Sequence, residues 1–432
     1  MGNNLEKKLV TVLLLVVIFV GSIWSDVYKY VDEIMFSVFG DVKTEWNIWS
    51  AKYNTENMEE QMDDTALRAK DTAGNDIPEY SAMASGYLSN LPFKQRMVDI
   101  NGTMAKALNM REVYKNNGGI VLNNGYVAGI YGYTSTDYEI QQITELKAYL
   151  DERGIQLLYV NEPTKYIDDR VIAKDLGVNT YINDNTDRFL SRLEENEIHY
   201  LDLRAHIVEE NLDSFNMFYK TDHHWTTQMG KLAAEAIAEE LNYFYGYNID
   251  LSLYDSDRFS YQEYEDAWLG EQGKKLGKSF VGLDDFTFIA PDYDTSFNVS
   301  YGGNVITGAF DQVLVNQTTY LPENNENIYT APSWHYSYMG ISGTNGTTVG
   351  NLNNTEGKRI LILGDSYEQI TIPFLALGVS QVQCLILRGY EGSLREYIDT
   401  HEIDTVVIAY ASFMIGAHDN EASANYAMFD FQ

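Results

Sequence analysis

The sequence predicts an α/β fold, a parallel sheet covered by helices on both faces. Two observations carry this. The runs "IQLLYV" (155–160), "RILILGD" (359–365), "QVQCLIL" (381–387) and "TVVIAYA" (405–411) are short and apolar throughout, as strands buried on both faces are. Between them lie stretches with helical periodicity. Length agrees: 432 residues, 45% hydrophobic and 13% aromatic, are enough for a full core.

The elements follow in order. Lys7 and Lys8 precede an apolar run from Leu9 to about Trp24. With Trp24, Tyr28 and Tyr30 as an interfacial belt, residues 1–30 read as an uncleaved membrane anchor. A cleaved signal peptide is the competing reading. Both place the rest of the chain outside the cytoplasm, at the cell surface or in a periplasm. Residues 31–87 are charged and irregular and read as a stalk. A domain over 88–432 follows. "GGIVLNNGYVAGIYG" (118–132) reads as a hairpin around Asn-Asn-Gly. Residues 135–154 predict a helix, with Thr136 and Glu139 as a capping box and Gly154 as its stop. Residues 186–197 predict a helix and "IHYLDLR" (198–204) a strand. Residues 226–243 predict a helix whose apolar stripe is Met229, Leu232, Ala233, Ala236, Ile237 and Leu241. Residues 245–355, rich in Tyr, Asp, Asn, Gly and Thr, break the rhythm and read as an irregular, partly β insertion beside a cleft. Tyr367 to about Leu377 and residues 392–402 are helical, the latter with a Ser393–Glu396 capping box.

The formal charge of −33 excludes nucleic acid as a partner, because phosphates need a basic surface. The single cysteine, Cys384, excludes an internal disulfide and a multi-cysteine metal site. Within "QVQCLIL" it reads as a small buried hydrophobe.

Two stretches carry chemistry. In "LILGDSYEQ" (361–369) a strand ends in Gly364-Asp365-Ser366 and a helix follows. The carboxyl ends of parallel strands open onto the ligand crevice, and a helix N-terminus can stabilise an oxyanion. Taken alone, Asp365 or Ser366 reads more simply as a helix cap. The second stretch, "YKTDHHWTTQ" (219–228), sits before a helix. There Asp222-x-His224 supplies the base and orienting acid that a serine nucleophile needs. Together the two stretches favour catalysis by Ser366, His224 and Asp222 over capping. A metal reading of Asp222, His223 and His224 needs further acidic loops, and "GLDDF" (282–286) and "APDYD" (290–294) are the candidates. It is the weaker reading, and neither metal nor cofactor is expected. His206, His335, His401 and His418 are scattered and receive no role.

"YKTDHHWT", then "ILILGDSY", "LRGY", "GSLREYI" and "VVIAY" in that order resemble the bacterial DHHW family. That family is similar to the alginate O-acetyltransferases AlgX and AlgJ, within the SGNH-hydrolase-like group. The resemblance runs from about 88 to 415. It implies a flavodoxin-like α/β/α core and a triad of Ser366 as nucleophile, His224 as base and Asp222 as orienting acid. His223 fills a variable position. Arg388 and Tyr410 match residues implied to line the site, aiding the oxyanion or the sugar. Asn161 and Lys165, in "NEPTK", match a loop that abuts the cleft. Ala411 stands where the family carries asparagine, so one polar group is missing.

The resemblance implies an extracytoplasmic O-acetyltransferase acting on a cell-surface or secreted polysaccharide. A membrane-bound O-acyltransferase would supply the acetyl donor. The composition of 245–355 differs from the alginate enzymes, so alginate itself is not implied. The alternatives are a carbohydrate acetylesterase with the same triad and a non-catalytic polysaccharide-binding or assembly protein.

Overall fold

The computed structural model describes residues 68–70, 76–78, 94–111, 120–316, 328–331, 333, 337–338, 346–416 and 425–432. The expected anchor over 1–30 lies outside them. Among the described residues no helix is long and apolar enough to cross a membrane. The chain divides into two compact units, 1–100 and 101–432. Within the expected stalk, Arg68–Lys70 and Asp76–Pro78 pair as an antiparallel ribbon.

The second unit is built on an eight-stranded sheet. Its strands in chain order are β1 (Gln156–Glu162), β2 (Tyr200–Asp202), β3 (Phe297–Tyr301), β4 (Asn304–Gly308), β5 (Thr347–Asn351), β6 (Arg359–Gly364), β7 (Gln381–Leu385) and β8 (Thr405–Ala411). Across the sheet the order is β4-β3-β5-β7-β6-β8-β1-β2. The five strands from β7 to β2 are parallel. The apolar runs read from the sequence are therefore the parallel strands.

The helices that matter are α1 (Asp137–Asp151), α2 (Ile182–Glu195), α3 (Thr227–Tyr245), α4 (Glu271–Leu276), α5 (Glu368–Leu375) and α6 (Leu394–Thr400). Alternation along each strand divides the core into two layers. Ile360 and Ile362 of β6 face a cluster holding Met229, Ala233 and Ile237 of α3 and Ile370 and Phe374 of α5. Leu361 and Leu363 face the opposite cluster, with Ile143 of α1, Phe189 of α2 and Leu394 of α6. Each such fully buried side chain contributes about 1.5–3 kcal/mol of hydrophobic stabilisation. Helices on both faces of a mostly parallel sheet make a mixed α/β fold. From β6 the chain passes to β7 on one side and returns to β8 on the other, so strand order reverses at β6. That is where open α/β sheets place their sites.

Three expectations are corrected. Residues 245–355 are not one irregular insertion. Phe259–Trp268 and Asp284–Pro291 do form a separate antiparallel ribbon. But β3, β4 and β5 extend the main sheet, β5 running antiparallel to β7. Their Asn, Ser, Thr and Gly residues hide them from pattern reading, because one side of each is only partly buried. Residues 203–204 end no strand: Leu203–Glu209 is a helix capped by Asp202, which accepts the Arg204 N–H. At α1, Thr136 makes no side-chain cap; its hydroxyl accepts from Arg192, while Glu139 is buried and accepts the Gly416 N–H at 2.6 Å. The hairpin is present, as Ile120–Val121 against Val127–Ala128. Cys384 is buried on β7, and burial pushes its thiol up to about 12.

Helices α3 and α5 touch closely because Gly230 has no side chain. A Cβ there would lie 2.4 Å from Ile370 Cγ2 and 2.9 Å from Ile370 Cβ. Gly230→Ala is therefore predicted to destabilise the fold by about 1–3 kcal/mol in denaturant unfolding, through overpacking. Ile370→Ala removes Cγ2, the atom at 2.4 Å, so the double variant should lose less than the sum of the two single losses. Additive losses in the double variant would show that the two helices do not meet at this contact.

Candidate active site

The site is assembled at the carboxyl end of β6. Every residue from Ile360 to Ser380 is buried except Ser366. A polar hydroxyl is thus the one point at which this segment meets solvent. Asp365 is the residue that caps the turn: its carboxylate accepts N–H bonds from Tyr367 and from Ala411 of β8, both 2.9 Å. Burial raises its pKa, while those two bonds oppose the shift. The missing asparagine after Tyr410 thus leaves a backbone N–H that still serves the turn.

His224 lies across from Ser366. Its Nε2 is 2.7 Å from Ser366 Oγ, and its Nδ1 is 2.6 Å from Asp222 Oδ1. With Nδ1–H donating to the carboxylate, Nε2 is free to accept the Ser366 hydroxyl proton. Asp222 is fully buried, so its charge requires full hydrogen bonding. It receives the backbone N–H of His224 at 3.1 Å and that of Glu271 at 2.7 Å. The structure brings these three expected residues into one hydrogen-bonded chain.

The histidines ride on a tight turn closed by the Tyr219 N–H to His224 carbonyl bond, 3.1 Å, and a bridge between Phe218 and Trp225. Two bonds tie that turn to the serine's own. The Trp225 indole N–H donates to the Tyr367 carbonyl at 3.0 Å. The Tyr367 hydroxyl donates to the His223 carbonyl at 2.6 Å. His223 itself leans on His224, their ring centroids 3.9 Å apart. Its Nδ1 lies 3.4 Å from the Asp222 carboxylate, beyond the 2.6 Å of His224. Desolvation, then the neighbouring His224, hold the His223 pKa well below its ordinary value.

Asp222, His223 and His224 do cluster closely enough to share a cation. Both ring nitrogens of His224 are already engaged, however, so ligation would break a bond to Asp222 or to Ser366. Asp284 of "GLDDF" is not turned toward that cluster as a further ligand. Its carboxylate accepts the backbone N–H groups of Lys220 and Thr221 and the Thr221 hydroxyl. The Thr221 Oγ1 in turn accepts the Gly270 N–H at 2.7 Å.

The remaining expected residues separate. Arg388 is exposed on the turn after β7, and its charge acts on His223 and Asp365. Lys165 is buried; its Nζ donates to the Val127 carbonyl at 2.5 Å and to the Lys220 carbonyl at 3.1 Å, and burial lowers its pKa to about 7. Lys165 and His223 line a pocket of about 20 Å³. That is room for roughly one water, not a sugar ring. Asn161 is also buried, donating to Asp202 at 2.8 Å and accepting from Ser412 at 3.0 Å. It braces strand ends. Tyr410 is a correction: expected to line the site, it is fully buried, and its hydroxyl donates to the Met428 carbonyl at 2.6 Å. Strand alternation explains this. Val406, Ile408 and Tyr410 face the α1–α2–α6 layer, whereas Trp225 and Tyr367 pack in the other.

Pattern reading missed Gly270 and Glu271, which frame Asp222 from within residues 245–355; Asp284, in the loop weighed for a metal, holds Lys220 and Thr221 instead. The glycine spacing in "LGEQGKKLG" (269–277) was the available signal.

The mixed α/β fold with its mostly parallel sheet is consistent with an SGNH-like fold. Residues 134–248 match the family model of the SGNH hydrolase-like domain of the acetyltransferase AlgX. That segment contains Asp222 and His224 and stops short of Ser366. Among solved structures the chain is similar to Bacillus cereus PatB1 with a sulfonyl adduct, at 17% identity and TM-score 0.57, covering 74% of this chain and 100% of that one. It is also similar to a DHHW family protein from Eubacterium siraeum, at 15% identity and TM-score 0.52, covering 72% and 96%. The O-acetyltransferase domain of Pseudomonas putida AlgJ matches at 13% identity and TM-score 0.43, covering 73% and 100%. No curated protein matches the sequence.

Gly270 marks how tightly Asp222 is held. A Cβ there would lie 2.5 Å from Asp222 Cβ and 2.6 Å from the Thr221 carbonyl oxygen. Gly270→Ala is predicted to displace the aspartate and abolish the downfield imidazole N–H proton resonance of His224. Retention of that resonance would show that Gly270 does not set the Asp222–His224 bond.

Proposed function

We propose that this chain is an extracytoplasmic, membrane-anchored O-acetyltransferase acting on a cell-surface or secreted polysaccharide, with Ser366 as nucleophile. The observation that carries the reading is the chain Asp222–His224–Ser366, with bonds of 2.6 and 2.7 Å ending on the one solvent-accessible residue of a buried segment. His224 Nε2 takes the hydroxyl proton as Ser366 Oγ attacks the acetyl carbonyl of the donor. The imidazolium, steadied by Asp222, returns that proton to the leaving group, and acetyl-Ser366 remains. A sugar hydroxyl then gives its proton to His224 and attacks the acyl carbon, and Ser366 leaves with the proton back. The Ser366 backbone N–H, aided by the Arg388 charge, faces the oxyanion; one such donor is worth about 3 kcal/mol in the transition state. A membrane-bound O-acyltransferase supplies the donor, as the family resemblance implies. Water in place of the sugar makes the same machinery an acetylesterase.

Ser366→Ala and His224→Ala should each lower acetyl release from a chromogenic ester by roughly a thousandfold or more. His223→Ala should keep most of it. A sulfonyl fluoride should label Ser366, read by peptide mass, and Ser366→Ala should not be labelled. Ester cleavage at the parent rate by Ser366→Ala would overturn the assignment. With an oligosaccharide acceptor, a product heavier by one acetyl group supports transfer. Free acetate with an unchanged acceptor mass makes the protein an esterase.

A further inference from the structure

Behind the serine lie two acidic side chains that the proposed chemistry does not use. Glu162 ends β1 and Glu368 opens α5, two residues after Ser366. Both are fully buried. None of their four carboxyl oxygens receives a hydrogen bond from any N–H or O–H of the described residues. Alternation along β1 aims Glu162, like Leu158 and Val160, into the layer that holds α5. There the two carboxyl groups lie within hydrogen-bonding reach of each other. Two ionised carboxylates in contact in a core, with no donor from the protein, repel each other and lose their hydration, so the doubly charged form is strongly disfavoured. One added proton removes the conflict, because a carboxylic acid donates to a carboxylate in a short, charge-assisted bond.

We propose that Glu162 and Glu368 share one proton in the folded protein, and that this carboxyl–carboxylate bond is a positioning device tying the end of β1 to the first turn of α5. The idea rests on the reading of Ser366 as nucleophile, since the turn it fixes is the one that carries Ser366. Two residues would then hold that turn from opposite sides. Asp365 ties it to Ala411 of β8, and Glu368 ties it to Glu162, whose Cα pairs with that of Ala411. Neither glutamate touches substrate, so both are positioning residues.

The surroundings keep the proton in place. Asp365 at the end of β6 is the titratable group that acts on the pair, and the pair in turn acts on Tyr159 on β1, Tyr367 in the serine turn and Cys384 on β7. Asp365 adds negative charge, and desolvation is the largest influence on both glutamates. Both pKa values rise, that of Glu368 to about 7 and that of Glu162 well above its ordinary value. In the unfolded chain both would ionise near the ordinary 4.5. Of the two protons the folded pair can bind, the looser leaves at about pH 7, and the shared one stays until the higher pKa of Glu162 is reached. Its contribution to stability is fully present below the unfolded value and is lost as pH rises through the folded one.

The test compares the parent protein with Glu162→Gln and Glu368→Gln, in which an amide N–H replaces the shared proton. The parent should give the infrared carbonyl band of a buried carboxylic acid at pH 6, and each variant should lack it. The unfolding midpoint in urea should fall more steeply between pH 4.5 and 7 for the parent than for either variant. With a chromogenic acetate ester, the parent kcat should drop on the alkaline side as the proton leaves, with KM little changed, and the variants should lack that limb. If one variant does not fold, the other and the parent spectrum decide the matter. A parent without the acid band, or with the same pH slope as the variants, overturns the shared proton. A shared proton with identical kcat profiles overturns its positioning role. Inactivity of the parent, or full activity of Ser366→Ala, overturns the nucleophile reading instead, and the infrared and unfolding results still stand.

Discussion

The constraint on which the rest of this site depends is the mutual clamp between two turns. Trp225 donates its indole N–H to the Tyr367 carbonyl, and Tyr367 donates its hydroxyl to the His223 carbonyl. Both rings are fully buried and pack with centroids 4.8 Å apart. Two hydrogen bonds and an aromatic contact in a dry setting leave the turns little freedom to slide. The serine and the histidine stand beside this clamp, one on each turn. Their 2.7 Å bond is a consequence of it, since neither side chain alone could fix its own approach.

Around the clamp, buried acids do the orienting. Asp222, Asp284 and Asp365 are each nearly or wholly excluded from water. All three are met by backbone N–H groups: His224 and Glu271 for Asp222, Lys220 and Thr221 for Asp284, and Tyr367 and Ala411 for Asp365. A buried carboxylate without such donors would cost several kcal/mol. Satisfied in this way, each becomes a rigid peg joining segments far apart in sequence. Glu162 and Glu368 break the pattern because no backbone donor reaches them. That difference is what the proposed shared proton answers.

The segment taken as an insertion proves to be structural to the site. It completes the sheet through β3, β4 and β5. It also contributes α4, whose first N–H holds Asp222, and Asp284, which holds the loop before it. Gly270 allows this, because α4 reaches Asp222 only where no side chain intervenes.

The sequence by itself determined the parallel strands, the helices between them and the two turns that carry Asp222, His224 and Ser366. Continuous apolar runs and local capping chemistry are properties of neighbouring residues and are legible without a fold. It also left Cys384 a simple reading, because one cysteine among apolar neighbours has little else to do. What only the tertiary structure decided was which side chains face which layer and which atoms meet. Tyr410 matched a family position, yet strand alternation sends it into the layer away from the clamp. Asn161 ends β1 and Lys165 follows it in the loop, but long-range carbonyl and carboxylate partners turn both into braces. The polar strands β3 to β5 acquire their structure from β7, a partner more than thirty residues beyond β5 and not visible in their own pattern. Glu162 and Glu368 stand 206 positions apart, and only burial against each other gives them a shared chemistry. Local pattern fixes what each segment can be; contact across the fold fixes what its polar groups must do.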